Sequence, residues 1–282
     1  MLRVLNAGFY SSIQDFGRPN FQEFGVPISG VMDRKAAAFA NALLGNKANK
    51  AVLEMTMLGA KLQFEKATLI AIAGADMLPK LNDAPISINK AIFVNAGDVL
   101  SFGKLKQGFR TYLAVMGEFK TTSVLGSKSM FLGITDPCCI KKGDVLTYNS
   151  VSFSPNPSLA SIKYNNDYLN QKIINVFKGP EFYLLSQQQK RQLLSQQFTV
   201  SKNNNRMAYQ LVEIFENTIE PIITSPVLPG TVQLTPSGEL IVLMRDCQTT
   251  GGYPRVLQLT GNAINILSQK FTGATFYFKF KA

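Results

Sequence analysis

The sequence predicts a mainly β protein with a few short helices, arranged as two domains, and three observations carry that expectation. Short runs of apolar and β-branched residues, AVLEMTM, KLQFE, ATLIAIAG and FRTYLAVMG among them, are separated by Gly, Asn, Asp and Pro. That spacing belongs to an all-β barrel or sandwich rather than to strands alternating with crossover helices. Helix-favouring text is confined to short stretches near residues 34–44, 187–196 and 261–269. Residues 150–170, rich in Ser, Pro and Asn with little periodicity, separate the two strand-rich halves, and we place the linker there. The domains are then 1–155 and 170–282, and 282 residues are ample for two cores.

Taken in order, residues 2–5 (LRVL) read as a strand leading to Gly8, and Ser11 to Arg18 as a polar turn region. Asp33 has the side chain of a helix N-cap before the Ala-rich stretch Arg34 to Leu44, and Gly45 stands where a helix C-terminus needs a left-handed residue. Capping accounts for Asp33 and Gly45 but not for Gln14, Asp15 and Arg18, a trio that no turn requires. From 51 to 148 the chain reads as short strands. Gly97 to Lys104 superficially resembles a phosphate-binding loop, but five residues separate its glycines and Leu105 replaces the magnesium-binding hydroxyl, so Asn95 to Asp98 is read as a turn feeding a strand. In the second half, IINVFKGPEF runs as a strand into Gly179-Pro180-Glu181. A helix follows from about Gln187 to Gln196, capped by Ser186. The strands FTVS and QLVEIF flank the polar run Asn203 to Tyr209, and an alternating strand, Thr275 to Lys281, ends the chain.

The stretch from Glu239 to Val256 is the candidate site. Leu240-Ile241-Val242-Leu243-Met244 is an unbroken apolar run, the pattern of a strand buried on both faces. It ends abruptly in Arg245-Asp246 and passes through Gln248, Thr249, Thr250, Gly251, Gly252, Tyr253 and Pro254. A glycine pair permits backbone angles closed to other residues and lets a ligand approach main-chain N–H groups. A tight turn explains Gly-Gly alone. The carboxylate, amide and hydroxyls beside it point to a site.

Composition narrows the chemistry. The chain has no histidine, which excludes Ser-His-Asp and Cys-His nucleophiles, a His base and His-ligated zinc. Cys138, Cys139 and Cys247 have no metal-ligand spacing and offer no disulfide framework, so no metal site is expected. The formal charge of +11 is scattered, without a polybasic run, and nucleic acid is not expected as a partner. No apolar run approaches the roughly 18 residues of a membrane span, and no signal-peptide pattern opens the chain, so the expectation is a cytoplasmic protein without membrane partners.

Ordered motifs along the whole chain identify a family. Gln14-Asp15-x-Gly17-Arg18 and Gly25-Val26-Pro27-x-Ser29-Gly30-x-Met32-Asp33 open the series. Leu53-Glu54-x-Thr56, Arg110-x-Tyr112-Leu113-Ala114-Val115 and Gly179-Pro180-Glu181 continue it. Asn205-Arg206-Met207-x-Tyr209, Pro229-Gly230-Thr231-Val232-Gln233 and Asp246-x-Gln248-Thr249-Thr250-Gly251-Gly252-Tyr253-Pro254 complete it. Together they closely resemble the allophanate hydrolase subunit 2 / KipA family, which includes the C component of the bacterial ATP-dependent 5-oxoprolinase and recurs as a segment of urea carboxylase. Ala208, Gln210 and Met116-Gly117-Glu118 depart from the family pattern.

The resemblance implies two cyclophilin-like β-barrel domains and a partnership with two other 5-oxoprolinase components, a KipI-like B component and an A component. It implies ATP-driven opening of 5-oxoproline to L-glutamate, with ATP and Mg2+ acting at the level of the complex and this chain inactive alone. For that chemistry the expected catalytic residues are Asp246, Arg206, Asp15 and Arg18. Gln14, Ser29, Gly30, Asn205, Tyr209, Gln248, Thr249, Thr250, Gly251, Gly252 and Tyr253 are expected to bind a small polar substrate, with the motifs of both halves sharing one cleft. The family also contains a regulatory member, KipA, that captures a kinase inhibitor, and a carboxyltransferase segment acting on a urea-like substrate; both remain open as alternatives.

Overall fold

A computed structural model describes residues 1–148 and 164–281, so most of the expected linker, 150–163, lies outside the described residues. The chain divides into two compact units. Met1–Arg18 and Asp33–Leu169 form the first, and Pro19–Met32 joins Asn170–Ala282 in the second. An early segment of the sequence therefore belongs with the C-terminal half. Residues 164–169, placed in the linker by composition, are part of the first unit, where Tyr168 is buried and its hydroxyl donates to Asp33 Oδ2 at 2.7 Å.

In the first unit the strands divide between a six-stranded and a five-stranded sheet. Gln107–Val115 is central to the latter, pairing antiparallel with Val52–Thr56 on one side and Thr68–Asp76 on the other. Residues from both sheets, including Leu2, Ile13, Leu53, Phe64, Ile72, Leu113 and Phe119, form one core. Helix α1, Arg34–Leu43, packs on the central strands. Its buried face is Ala36, Ala37, Ala40 and Asn41, and side chains this small let the helix axis approach the sheet closely. Asp33 caps it as expected, accepting from the Ala36 N–H at 3.0 Å, and Gly45 has the left-handed φ of +68°.

The second unit is a closed seven-stranded barrel. Around it run Ile173–Lys178, Arg255–Leu259, Thr231–Leu234, Glu239–Leu243, Ala208–Ile214, Phe198–Asn204 and Thr275–Phe280. Closure comes from Thr275–Phe280, which pairs parallel with Ile173–Lys178 and antiparallel with Phe198–Asn204. A closed ladder leaves no unpaired barrel edge. Phe198, Phe276 and Phe278 fill the interior with rings 5.0–6.1 Å apart. Glu239–Leu243 is the apolar run singled out above: Leu240, Val242 and Leu243 are buried, whereas Ile241 is half-buried, so the run alternates more than a strand covered on both faces would.

Helices α2, Gln187–Ser195, and α3, Gly261–Ser268, belong to this unit. Ser186 and Gln189 form a reciprocal capping box on α2. Replacing Ser186 with alanine is expected to lower stability by about 1 kcal/mol, read as a shift of the denaturant midpoint without a change of slope. Among the described residues no helix is long and apolar enough to cross a membrane.

Candidate functional site

Two of the expected site motifs meet inside the second unit. Where the strand Glu239–Leu243 ends, Met244 N–H donates to Met207 O and Asp246 N–H donates to Arg206 O, so Arg206 and Asp246 face each other across a backbone ladder. Their side chains then pair: Arg206 Nε lies 2.7 Å from Asp246 Oδ2, and Nη2 lies 3.0 Å from Oδ1. The pair is largely desolvated, with side chains only 8% and 10% exposed. A bidentate guanidinium–carboxylate contact fixes both planes.

The segment carried over from the N-terminal part of the chain completes this cluster. Ser29 Oγ donates to Asp246 Oδ1 at 2.5 Å, its N–H donates to Arg245 O at 3.0 Å, and Arg206 Nη2 donates to Gly30 O at 2.6 Å. Ser29 has a φ of +59° and Gly30 one of +96°. A serine in the left-handed region costs energy that its surroundings must offset, and such positions gather at functional sites. Here two hydrogen bonds of its own, to Asp246 and Arg245, and one from Arg206 to the adjoining Gly30 hold it.

Beyond Asp246 the chain supplies the expected polar stretch. Gln248 Oε1 is buried and has no hydrogen-bond partner among the described residues, a rare state for a buried acceptor. Thr250–Gly251 pairs with Ser225–Pro226 as a short ladder. Neither Gly251 nor Gly252 has a left-handed φ, which corrects the expectation that the pair is there for its backbone angles. A Cβ on Gly251 would instead stand 2.6 Å from Gln233 Nε2, the movable end of that side chain, which would have to shift to admit it. Gln233, whose amide donates to Tyr253 O at 3.3 Å, is a buried support that sequence reasoning left out of the site. An amide in an otherwise buried strand was the available signal.

A second support was also missed. Glu181 accepts three hydrogen bonds from Arg255, on N, Nε and Nη2, at 2.8–2.9 Å, while Arg255 Nη1 donates to Pro226 O. Arg255 thereby ties Gly179-Pro180-Glu181 to the ladder beside Thr250. Hydrogen bonding from Arg255 holds the Glu181 carboxyl below its ordinary value of 4.5. The stabilisation is therefore complete above about pH 4.5 and is lost as pH falls through the folded value. A Glu181→Gln protein is expected to show a shallower loss of stability on acidification below that pH.

The other expected residues have different surroundings. Asp15, in the first unit, accepts from Gly17 N, Ser127 Oγ and Ser129 Oγ on one oxygen and from Lys128 N on the other, at 2.6–2.8 Å. A carboxylate so saturated clamps the 127–130 loop to the strand Tyr10–Gln14. Gln14 joins the clamp by donating to Met130 O at 3.0 Å, and Arg18 by donating to Ser129 O. Tyr209 is fully buried in the barrel. Asn205 accepts from Met207 and Ala208 N–H, closing the turn that presents Arg206. Thr249 carbonyl accepts from Val227 N–H, while Thr250 and Tyr253 are exposed.

Cys247, behind Asp246, is buried, and burial pushes its thiol up to about 12. Native protein at pH 8 is expected to take iodoacetamide on the half-buried Cys138, more slowly on Cys139, whose thiol burial and the neighbouring Cys138 also push up, and on Cys247 only after denaturation, as peptide mass mapping would read.

The carboxyltransferase domain model, subdomain A and B, matches residues 24–280. The chain is 32% identical to the C component of the 5-oxoprolinase of Escherichia coli K12 over 262 residues, covering 91% of this chain and 83% of that protein. It superposes on the crystal structure of TTHA0988 with a TM-score of 0.86 and 26% identity, covering 99% of this chain and 55% of that one. It superposes equally well on the urea amidolyase of Kluyveromyces lactis, with a TM-score of 0.86 and 28% identity, covering 98% of this chain but 18% of that one. Against the solved structures the chain thus spans about half or less of the longer polypeptide.

Proposed function

Because this chain belongs to the carboxyltransferase domain family, subdomain A and B, we propose that it is the C component of an ATP-dependent 5-oxoprolinase. It acts with a KipI-like B component and an A component to open 5-oxoproline to L-glutamate, and alone it is inactive. The similarity to the Escherichia coli protein along most of both chains supports this reading.

The observation that carries it is an oriented charge cluster, Arg206, Asp246 and Ser29, with an unsatisfied acceptor on Gln248 two residues further along the chain. Opening a lactam adds water across the ring C–N bond and requires a site that recognises both the amide N–H and the carbonyl. Gln248 Oε1, buried without a partner among the described residues, is matched to the lactam N–H. Asp246, fixed by Arg206 and Ser29, is the group that orients substrate and handles the proton. Thr249, Thr250 and the backbone of Gly251-Gly252 contact the substrate carboxylate and carbonyl, and exposed Tyr253 covers it. Asp15, Gln14 and Arg18 hold the 127–130 loop of the first unit. ATP and Mg2+ enter at the level of the complex, where ATP supplies the activation that an amide carbonyl lacks.

Co-expression with the A and B components provides the test. The expected result is co-purification and release of ADP that depends on 5-oxoproline. A complex that forms yet hydrolyses ATP equally without 5-oxoproline would remove the assignment. The likeness to a urea amidolyase favours a second reading, a carboxyltransferase acting on a urea-like amide. Substituting urea for 5-oxoproline in the same assay separates the two.

A further inference from the structure

The first unit contains a hollow of about 430 Å³ walled by the 120–137 loop and by residues 144–146. That volume is ample for a small metabolite. Its lining includes Val124, Ile134 and Leu146, so apolar as well as polar side chains border the hollow. Four charged side chains line it, and two of them are already committed. Lys128 Nζ lies 3.0 Å from Glu118 and donates to Phe119 O at 3.1 Å, and Asp144 accepts from Lys141 N–H at 2.7 Å.

The remaining two, Lys120 and Asp136, are exposed and have no side-chain hydrogen bond or ion pair among the described residues, and both line the hollow. Lys120 is followed by two hydroxyl residues. Thr121 Oγ1 is buried with no hydrogen-bond partner among the described residues, and Thr122 also lines the wall. The backbone carrying them is anchored: Lys120 N–H donates to Thr147 O at 2.8 Å, and Thr147 Oγ1 donates to Lys120 O at 2.9 Å. The lining thus offers one ammonium and the hydroxyls of two consecutive residues, which are donors to a carboxylate, and an unpaired carboxylate, which accepts from a cation.

We propose that this hollow binds a small zwitterionic metabolite, an amino acid with an apolar side chain. Its carboxylate rests on Lys120, Thr121 and Thr122, its ammonium on Asp136, and its side chain on Val124, Ile134 and Leu146. The site lies wholly in the first unit and is independent of the residues assigned to lactam opening. Asp136 and Asp144 together disfavour a phosphate, which would bring two negative charges beside them.

Calorimetric titration of the full chain with L-leucine, 4-methylpentanoate and 3-methylbutylamine tests the proposal. Leucine is expected to bind saturably, and each singly charged analogue about tenfold or more weaker, since each lacks one charge-assisted contact. Lys120→Met and Asp136→Asn are each expected to weaken leucine by a similar factor while leaving the melting transition in place. Absence of saturable leucine binding overturns the proposal. So does an analogue that binds as tightly as leucine, or a pair of folded variants that bind it unchanged.

Discussion

Replacing Arg206 with alanine is expected to destabilise the second unit by about 3–5 kcal/mol, because it leaves the Asp246 carboxylate desolvated without its partner. Arg206 makes two contacts with Asp246 and a third with Gly30 O. The effect therefore reaches Ser29, whose left-handed conformation depends on the same cluster. For a unit of this size the fall in melting temperature is on the order of 10 °C. The Asp246→Ala protein is expected to lose a similar amount, and the double variant much less than the sum of both. A double-mutant cycle followed by thermal melting measures that coupling. Additive losses would mean that the two side chains act separately, against the geometry described.

The second large effect is expected at Gly179. An alanine Cβ there would lie 2.1 Å from Arg255 O and 2.7 Å from Arg255 C, and both are backbone atoms of a barrel strand that cannot swing aside. Relieving that overlap breaks the Gly179 N–H to Val256 O bond of 3.0 Å and displaces Glu181 from Arg255. We expect a loss of about 3 kcal/mol or more. With it goes the Arg255 hold on Pro226, so turnover of the assembled enzyme is expected to fall about tenfold through misplacement of the Thr250–Gly251 ladder. Gly261→Ala is the matched control, because its Cβ would meet nothing within 4 Å. Urea denaturation of both variants distinguishes close packing from a general intolerance of substitution at glycine.

Local physics made much of the fold readable beforehand. Asp33 before an Ala-rich run and Ser186 three residues ahead of Gln189 are capping signals that act over a few residues, and both helices stand where those signals put them. The alternation from Thr275 onward marked the strand that closes the barrel. Pairing between residues distant in sequence left no comparable trace. Nothing in Gly25 to Met32 announces that it belongs with the C-terminal unit, because the hydrogen bond between Ser29 and Asp246 spans 217 positions.

At the site the same distinction holds. The residue types around Asp246 marked the stretch as polar where a strand should simply turn, and Arg206 and Ser29 were named with it. Gln233, Glu181 and Arg255 support that stretch through burial and long-range contacts, which side-chain identity alone does not reveal. The contacts of Asp15 are likewise invisible in its motif beside Gln14 and Arg18: two serine hydroxyls and two backbone N–H groups occupy its oxygens, three of them from residues 127–129.

Whether Asp246 handles the proton in lactam opening is decided by turnover of 5-oxoproline in an assembled enzyme carrying Asp246→Asn in this chain. The substitution keeps the shape of the side chain but turns one of its two accepting oxygens into a donor facing Arg206 or Ser29, so the melting temperature of the variant is read beside its turnover. The variant is expected still to co-purify with the A and B components, while glutamate formation falls by about two orders of magnitude or more. An intact Asp246→Asn complex that forms glutamate at the unmodified rate would contradict that role.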